Sequence, residues 1–391
     1  MIIQRPETIA RIKWGLERYP VTAILGPRQC GKTTLARVVC DEMKGLLYDL
    51  EDPEHLARLS NPTLALSQKY PLIVLDEIQR KPELTQVLRV LADRSSGNTK
   101  FLVLGSASPE LVSQSSDSLA GRIHFVDMGG FALSDVGSGN LGQLWRRGGF
   151  PLAYLASDDT SSMAWREDFV RTFLERDIPQ LGVRVPATTL RRFWTMLAHY
   201  HGQVWNASEI GKSLGVSHPT VKKYLEVLTA AFVVRQVQPW FENLGKRVVK
   251  APKVYVRDSG ILHRLLNIPD EQALRGHPKV GASWEGFVLE QLLAWVGDRD
   301  AYFWGTHAGA ELDLFVIRDG KRWGFEIKYS EAPTMTKSMH VALADLKLDR
   351  LWVLYPGKSR YPLHENVECI ALERMNDIRE SIEKGKPVGY F

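Results

Sequence analysis

Short apolar runs alternate with amphipathic stretches through the first third of the chain. Val21–Leu25, Gly45–Leu50, Leu72–Leu75 and Lys100–Leu104 are each bounded by turn residues and separated by helical patterns. Runs that are apolar on both faces, with helices between them, predict a buried parallel sheet. The opening MIIQRPETIARIKWGLERYP has the spacing of an amphipathic helix. Gly129-Gly130, Gly137-Ser138-Gly139 and Gly148-Gly149 then punctuate the chain and mark a domain edge or a lid junction. From about residue 160 to 240 the pattern is helical. Phe169, Val170, Phe173 and Leu174 share one face, and Leu190, Phe193, Trp194 and Leu197 another, so both stripes are expected in a core. Residues 231–258 turn strand-like around Gly245-Lys246. A helix at Trp284–Val296 follows, then strands AYFWG, ELDLFVI and WGFEIKY, a helix MHVALADL and a strand RLWVLY. The expected organisation is an α/β parallel-sheet domain over 1–155, a helical region over 156–265 and a second α/β domain over 266–391.

Composition narrows the class. The 391 residues are 44% hydrophobic and 24% charged, ordinary globular usage that excludes a disordered or fibrous chain. No apolar run reaches the roughly 18 residues of a membrane span, and the acidic, Trp-containing start is not a secretory signal. A cytoplasmic protein is expected. Cys30, Cys40 and Cys369 are too few and scattered for a disulfide framework or a zinc site, and are expected as reduced packing residues.

The strongest motif is Gly26-Pro27-Arg28-Gln29-Cys30-Gly31-Lys32-Thr33, a full G-x-x-x-x-G-K-[ST] between a strand and the helix TTLARVVCDEM, which Thr34 enters. Glycines let the backbone wrap a phosphate with its N–H groups inward, and the helix N-terminus adds positive potential. Lys32 is expected on the β/γ-phosphates of ATP and Thr33 on Mg²⁺. Asp76 closes the strand LIVL as the second Mg²⁺ carboxylate. Glu77 follows as a general base that polarises the attacking water. Ser106 and Ser108, after FLVLG, are candidate γ-phosphate sensors or simple loop hydroxyls. Arg122 in SLAGR is a candidate arginine finger acting in trans, which would need a ring or dimer.

Charge is uneven. The net is +5, but Arg191–Asp258 holds eleven basic and four acidic residues, a net of +7. That suits a polyanion, or is a solvated face without a partner. Within it, Ala207–Leu214, the turn Gly215-Val216-Ser217 and His218–Leu228 have helix-turn-helix punctuation, with Ile210, Leu214, Val216, Val221 and Leu225 as a small core. The following strands would make a wing. Ser217, His218, Thr220, Lys222 and Lys223 would face DNA, with Lys246, Arg247, Lys250 and Lys253 reaching phosphates from the wing. Such modules also dock proteins.

A last constellation combines Glu285 on a helix, Asp313 on a strand, and Glu326 with Lys328 two apart on the next strand, on one face. Three acids and a lysine are what metal-dependent phosphodiester cleavage needs: carboxylates for Mg²⁺, lysine to orient water.

GPRQCGKTTL, LDEIQ, GSASPEL, SLAGR, LWRRGGFP, FLERDIP and WEGFVLEQL…ELDLFV…FEIKYS resemble, in this order, a prokaryotic family that joins an AAA-type ATPase domain to a C-terminal domain of unknown function. The resemblance implies an AAA+ fold, a winged helix and a C-terminal domain similar to PD-(D/E)xK nucleases. It implies Asp313 and Glu326 as metal ligands, Glu285 as the helical acid and Lys328 as the assisting lysine. Leu312 stands where the nuclease name has proline. It also implies a homo-oligomer, with a hexameric ring as the candidate form. The leading expectation is an ATPase that moves on or remodels duplex or branched DNA, Holliday junctions included. Two alternatives stay open: a nucleotide-dependent switch that binds a protein partner, and an ATP-gated Mg²⁺-dependent endonuclease.

Overall fold

Strands form where apolar residues fill both faces of the backbone. β1 (Val21–Gly26), β2 (Leu46–Asp49), β3 (Leu72–Asp76) and β4 (Lys100–Ser106) lie at the expected places. β5 (Ile123–Asp127) has no such signature, because only Val126 in it is fully buried and it lies at a sheet edge. The five strands pair in parallel in the order β2-β3-β4-β1-β5. This computed structural model describes residues 3–94, 99–106, 119–180, 185–241 and 248–383.

The chain forms two compact units. Among the described residues, the first holds the chain through Asp135 together with Ala230–Phe232, and the second holds Val136–Thr229 and the described chain from Val233. In the first unit, Val21, Ala23, Leu25, Ile73, Leu75, Phe101 and Val103 build one core face of the sheet. Each of these side chains except that of Ala23 contributes about 1.5–3 kcal/mol when fully buried. Arg5, just before the Pro6–Arg18 helix, is also buried. Its Nε donates to Asp135 at 3.1 Å, and its terminal nitrogens donate to the carbonyls of Gly129 at 3.1 Å and Gly130 at 2.8 Å.

The first boundary falls at Asp135 rather than at 155, and the reason is local packing. Gly148 ends the Leu141–Arg147 helix at φ 80°, and Gly149 N–H donates to the Asp258 carboxylate at 2.7 Å. A Cβ on Gly260 would sit 2.0 Å from the Arg147 carbonyl oxygen. Residues 141–149 are thereby fixed to residues 258–260, inside the second unit.

The two aromatic stripes are buried as expected, on helices Asp159–Thr172 (continuing in a wider turn to Asp177) and Ala187–His199. Helices Ala207–Leu214 and His218–Ala230 are joined by a tight turn with Gly215 at φ 72°. They stand beside an antiparallel sheet of β6 (Gln203–Val204), β7 (Val234–Val237) and β8 (Lys253–Val256), in the order β6-β8-β7. A six-stranded mixed sheet follows: β9 (Ala301–Gly305), β10 (Glu311–Arg318), β11 (Lys321–Ile327), β12 (Arg350–Tyr355), β13 (Arg360–His364) and β14 (Val367–Ala371), in the order β13-β14-β12-β11-β10-β9. β11 and β12 are parallel, so the chain crosses over through the Lys337–Leu346 helix. Trp240 N–H donates to the Phe303 carbonyl at 2.8 Å, and Phe303 N–H to that of Gln238 at 3.0 Å. The chain leaving β7 is thus laced onto β9. The described residues of 156–265, apart from Ala230–Phe232, share one compact unit with those of 266–383. Among the described residues no helix is long and apolar enough to cross a membrane. All three cysteines are buried and unbridged.

Two buried histidines hold this unit in a defined protonation state. Val256 N–H donates to His201 Nδ1 at 3.0 Å. Trp145 Nε1–H donates to Ser283 Oγ at 3.0 Å, and Ser283 Oγ lies 2.7 Å from His263 Nε2, whose Nδ1 lies 3.0 Å from the Arg146 carbonyl. The chain closes when His263 is neutral and carries its proton on Nδ1. Burial drives both imidazoles down to about 3. The unfolded chain takes these protons up near pH 6.5, so each histidine contributes stability that is complete above that pH. The contribution falls by about 1.4 kcal/mol per unit as pH drops below it. Imidazole NMR shifts of His201 and His263 are therefore expected to stay constant from pH 7.5 to 5. A midpoint near 6.5 for either would contradict the assignment.

Candidate functional site

The phosphate loop leaves β1 at Gly26, where a Cβ would lie 2.0 Å from the Met128 carbonyl oxygen; only glycine allows this approach. Pro27 and Arg28 follow. Gln29 takes φ 63° and Gly31 φ 97°, so the backbone reverses into the Lys32–Glu42 helix. Cys30 is buried under the loop, 3.6 Å from the Met128 carbonyl oxygen, and is a packing residue here. Lys32 is buried and donates to the loop carbonyls of Gly26 at 2.9 Å and Pro27 at 2.8 Å. Thr34 is exposed on the first turn.

Asp76 ends β3 beside this loop and accepts a hydrogen bond from the Thr33 hydroxyl. Burial raises its pKa, the Thr33 bond opposes the rise, and Glu77 adds to it. Glu77 sits at φ 55°, which turns the backbone sharply after the strand. Its carboxylate accepts from the Ser106 hydroxyl at 3.1 Å and from Gln79 Nε2, and Gln79 Nε2 also lies 3.0 Å from Ser106 Oγ. Ser106 ends β4, which lies between β1 and β3, so sheet order alone carries its hydroxyl to the acid. Gln79 was not singled out by the sequence pattern; its signal is the short turn Ile78–Arg80 directly after the acids. Ser108 lies outside the described residues. Arg122 pairs with Asp93 at 2.5 Å and donates to the Ala120 carbonyl at 3.0 Å.

The basic segment is less free than its charge count implied. Arg191 pairs with Glu167 at 2.8 Å. Arg235 pairs with Glu290 and Asp298, each at 2.5 Å, and Arg257 with Glu290 at 3.3 Å. These acids lie outside Arg191–Asp258, so folding neutralises much of the local excess. Ser217, His218, Lys222, Lys223 and Lys250 are exposed, and Thr220 is half-buried with its hydroxyl 2.9 Å from that of Ser217. Lys246 and Arg247 lie outside the described residues.

Lys253 corrects the expectation of a phosphate contact. It lies within a fully buried strand, 2% exposed. Its ammonium is 3.1 Å from Glu285 Oε1 and 3.3 Å from Asp313 Oδ1, and it also pairs with Glu311. Burial opposes that charge, yet Tyr255 and the three carboxylates hold its pKa well above the ordinary lysine value. Tyr255, two residues on and on the same strand face, donates to Glu285 Oε1 at 2.6 Å. A lysine at period two with a tyrosine inside an apolar run was the available signal.

The structure does bring Glu285, Asp313, Glu326 and Lys328 together. Asp313 Oδ2 accepts from Ile327 N–H at 2.9 Å, across β10 and β11. Lys328 pairs with Glu326 at 2.6 Å, and the other Glu326 oxygen is buried without a hydrogen-bond partner. Burial, with Asp313 adding to it, pushes Glu285 up to about 7 and Glu326 up to about 8. Among the described residues, no three His, Cys, Asp or Glu side chains are arranged to hold a metal ion. The Lys253 ammonium stands between Glu285 and Asp313, two of the carboxylates expected as metal ligands.

The order of parallel strands, the loop at β1 and the acid at the end of β3 define a P-loop nucleoside-triphosphatase-type domain. Residues 18–136 match the AAA domain family. Two domains of unknown function match residues 138–272 (DUF8612) and 280–375 (DUF4143). The chain is 50% identical over 375 residues to the uncharacterized proteins Mb2031c of Mycobacterium bovis and Rv2008c of Mycobacterium tuberculosis, covering 96% of this chain and 85% of each of theirs. It belongs to the family of these two mycobacterial proteins. Among solved structures, the Walker-type ATPase PABY2304 of Pyrococcus abyssi overlaps 68% of this chain and 96% of its own at 18% identity and a TM-score of 0.49. The RuvB Holliday junction branch migration motor of Thermotoga maritima overlaps 60% and 90% at 16% identity and a TM-score of 0.30. Neither overlap is close enough to bear on function.

Replacing Lys32 by Ala removes the loop's one buried cation and a charge-assisted contact worth about 1.5–3 kcal/mol. Binding of a fluorescent ATP analogue is expected to weaken roughly 10- to 100-fold, with an unchanged circular dichroism spectrum. Unaltered affinity would remove the loop from the site.

Proposed function

We propose that the chain is a Mg²⁺-dependent ATPase whose hydrolysis drives work on DNA. The observation that carries the first half is the convergence, along one edge of the parallel sheet, of Lys32, the Thr33–Asp76 pair and Glu77 held by Ser106 and Gln79. The hard oxygen donors Thr33 and Asp76 suit Mg²⁺, which supplies charge neutralisation to the triphosphate when bound. Lys32 exchanges its two loop carbonyls for phosphate oxygens. Glu77 accepts the proton of the attacking water once Ser106 and Gln79 present its carboxylate to the γ-phosphate. Arg122 would assist a neighbouring copy in a ring only by leaving Asp93.

The DNA half rests on the helix pair and its neighbouring sheet, read as a winged helix-turn-helix. Lys222 and Lys223 are exposed on the second helix, Lys212 on the first and Lys250 before β8. These positions suit phosphate contacts.

Glu77→Gln is expected to retain ATP binding and lose at least about 100-fold in hydrolysis, as removal of a general base does. Duplex or four-way-junction DNA is expected to raise the ATPase rate of the native chain at low salt. Lys222→Ala and Lys223→Ala should each lower the log–log salt slope of DNA binding by about 1. ATP hydrolysis that ignores every DNA at low salt would point instead to a switch acting on a protein partner.

A further inference from the structure

The carboxylates of the six-stranded sheet have an occupant from the chain itself. β8 carries Lys253 and Tyr255 on one face, and both reach Glu285. The Lys253 ammonium also contacts Asp313 and Glu311. Lys253 is 2% exposed and its ammonium lies 5.8 Å from the Phe303 ring centroid, so it is shielded from bulk solvent. One cation bonded to three carboxylate side chains has the electrostatic role of a bound metal ion, supplied by the sequence. A divalent ion at the same place would meet a positive charge within bonding distance of its ligands.

We infer that Lys253 is a built-in cation that takes the place of a divalent metal among Glu285, Glu311 and Asp313. The native chain then binds no Mg²⁺ or Mn²⁺ at this cluster. The cluster joins β8 to β10 and the Val280–Val296 helix as a structural bond. Its fate is independent of the ATPase assignment, because the P-loop lies in the other unit and the test uses nucleotide-free protein.

The test is Mn²⁺ binding to the full chain, followed by the electron paramagnetic resonance of free Mn²⁺ and by thermal unfolding. Native protein and Asp313→Asn should bind Mn²⁺ alike, and Mn²⁺ should not raise the native Tm. Lys253→Met should gain one Mn²⁺ per chain and a Mn²⁺-dependent rise in Tm, both lost in Lys253→Met/Asp313→Asn. If Lys253→Met does not fold in buffer, refolding on addition of Mn²⁺, abolished by Asp313→Asn, gives the same answer. Mn²⁺ binding by the native chain that disappears in Asp313→Asn would overturn the inference. So would a folded Lys253→Met that binds no more Mn²⁺ than the native chain.

Discussion

The first unit depends on how closely two backbone segments can approach behind the phosphate loop. Gly26 lies against the Met128 carbonyl with no room for a side chain, and Arg5 ties down the carbonyls of Gly129 and Gly130 just beyond it. With that floor fixed, the loop must rise through two left-handed residues, Gln29 and Gly31, before the helix begins. The N–H groups at a helix N-terminus lack intrahelical partners and favour an anion such as a phosphate. The two acids follow from the same sheet, since β4 separates β1 from β3 and delivers Ser106 to Glu77.

The second unit solves a different problem. It buries cations, and it pairs two of them across distant segments: Arg235 with Glu290 and Asp298, and Lys253 with three carboxylates. Removing the buried cation from either cluster leaves buried carboxylate charge uncompensated, a loss of about 3–5 kcal/mol. These pairs fix β7, β8 and the Val280–Val296 helix to one another within a single unit.

Much of this was legible in the sequence, and the exceptions have physical reasons. Val21–Leu25 and Leu72–Leu75 announce their strands because both faces are apolar, whereas the edge strand Ile123–Asp127 fully buries only Val126, leaves Phe125 and Asp127 exposed, and carries no such pattern. The phosphate loop is local in sequence, so Lys32 and Thr33 could be read directly. Lys253 could not be placed by counting charges along Arg191–Asp258, because its partners Glu285, Glu311 and Asp313 arrive from later strands and helices. The same linear count overlooked Glu167 and Glu290, which neutralise Arg191, Arg235 and Arg257.

We propose triphosphate binding and hydrolysis at Lys32, Thr33, Asp76 and Glu77. Its most direct test is a crystal structure with Mg²⁺ and a non-hydrolysable ATP analogue. Lys32 Nζ is expected to have left the Gly26 and Pro27 carbonyls for the β/γ-phosphates, with Glu77 hydrogen-bonded to a water in line with the γ-phosphorus. A triphosphate seated elsewhere, or a Lys32 still bonded to its own loop with nucleotide present, would contradict it.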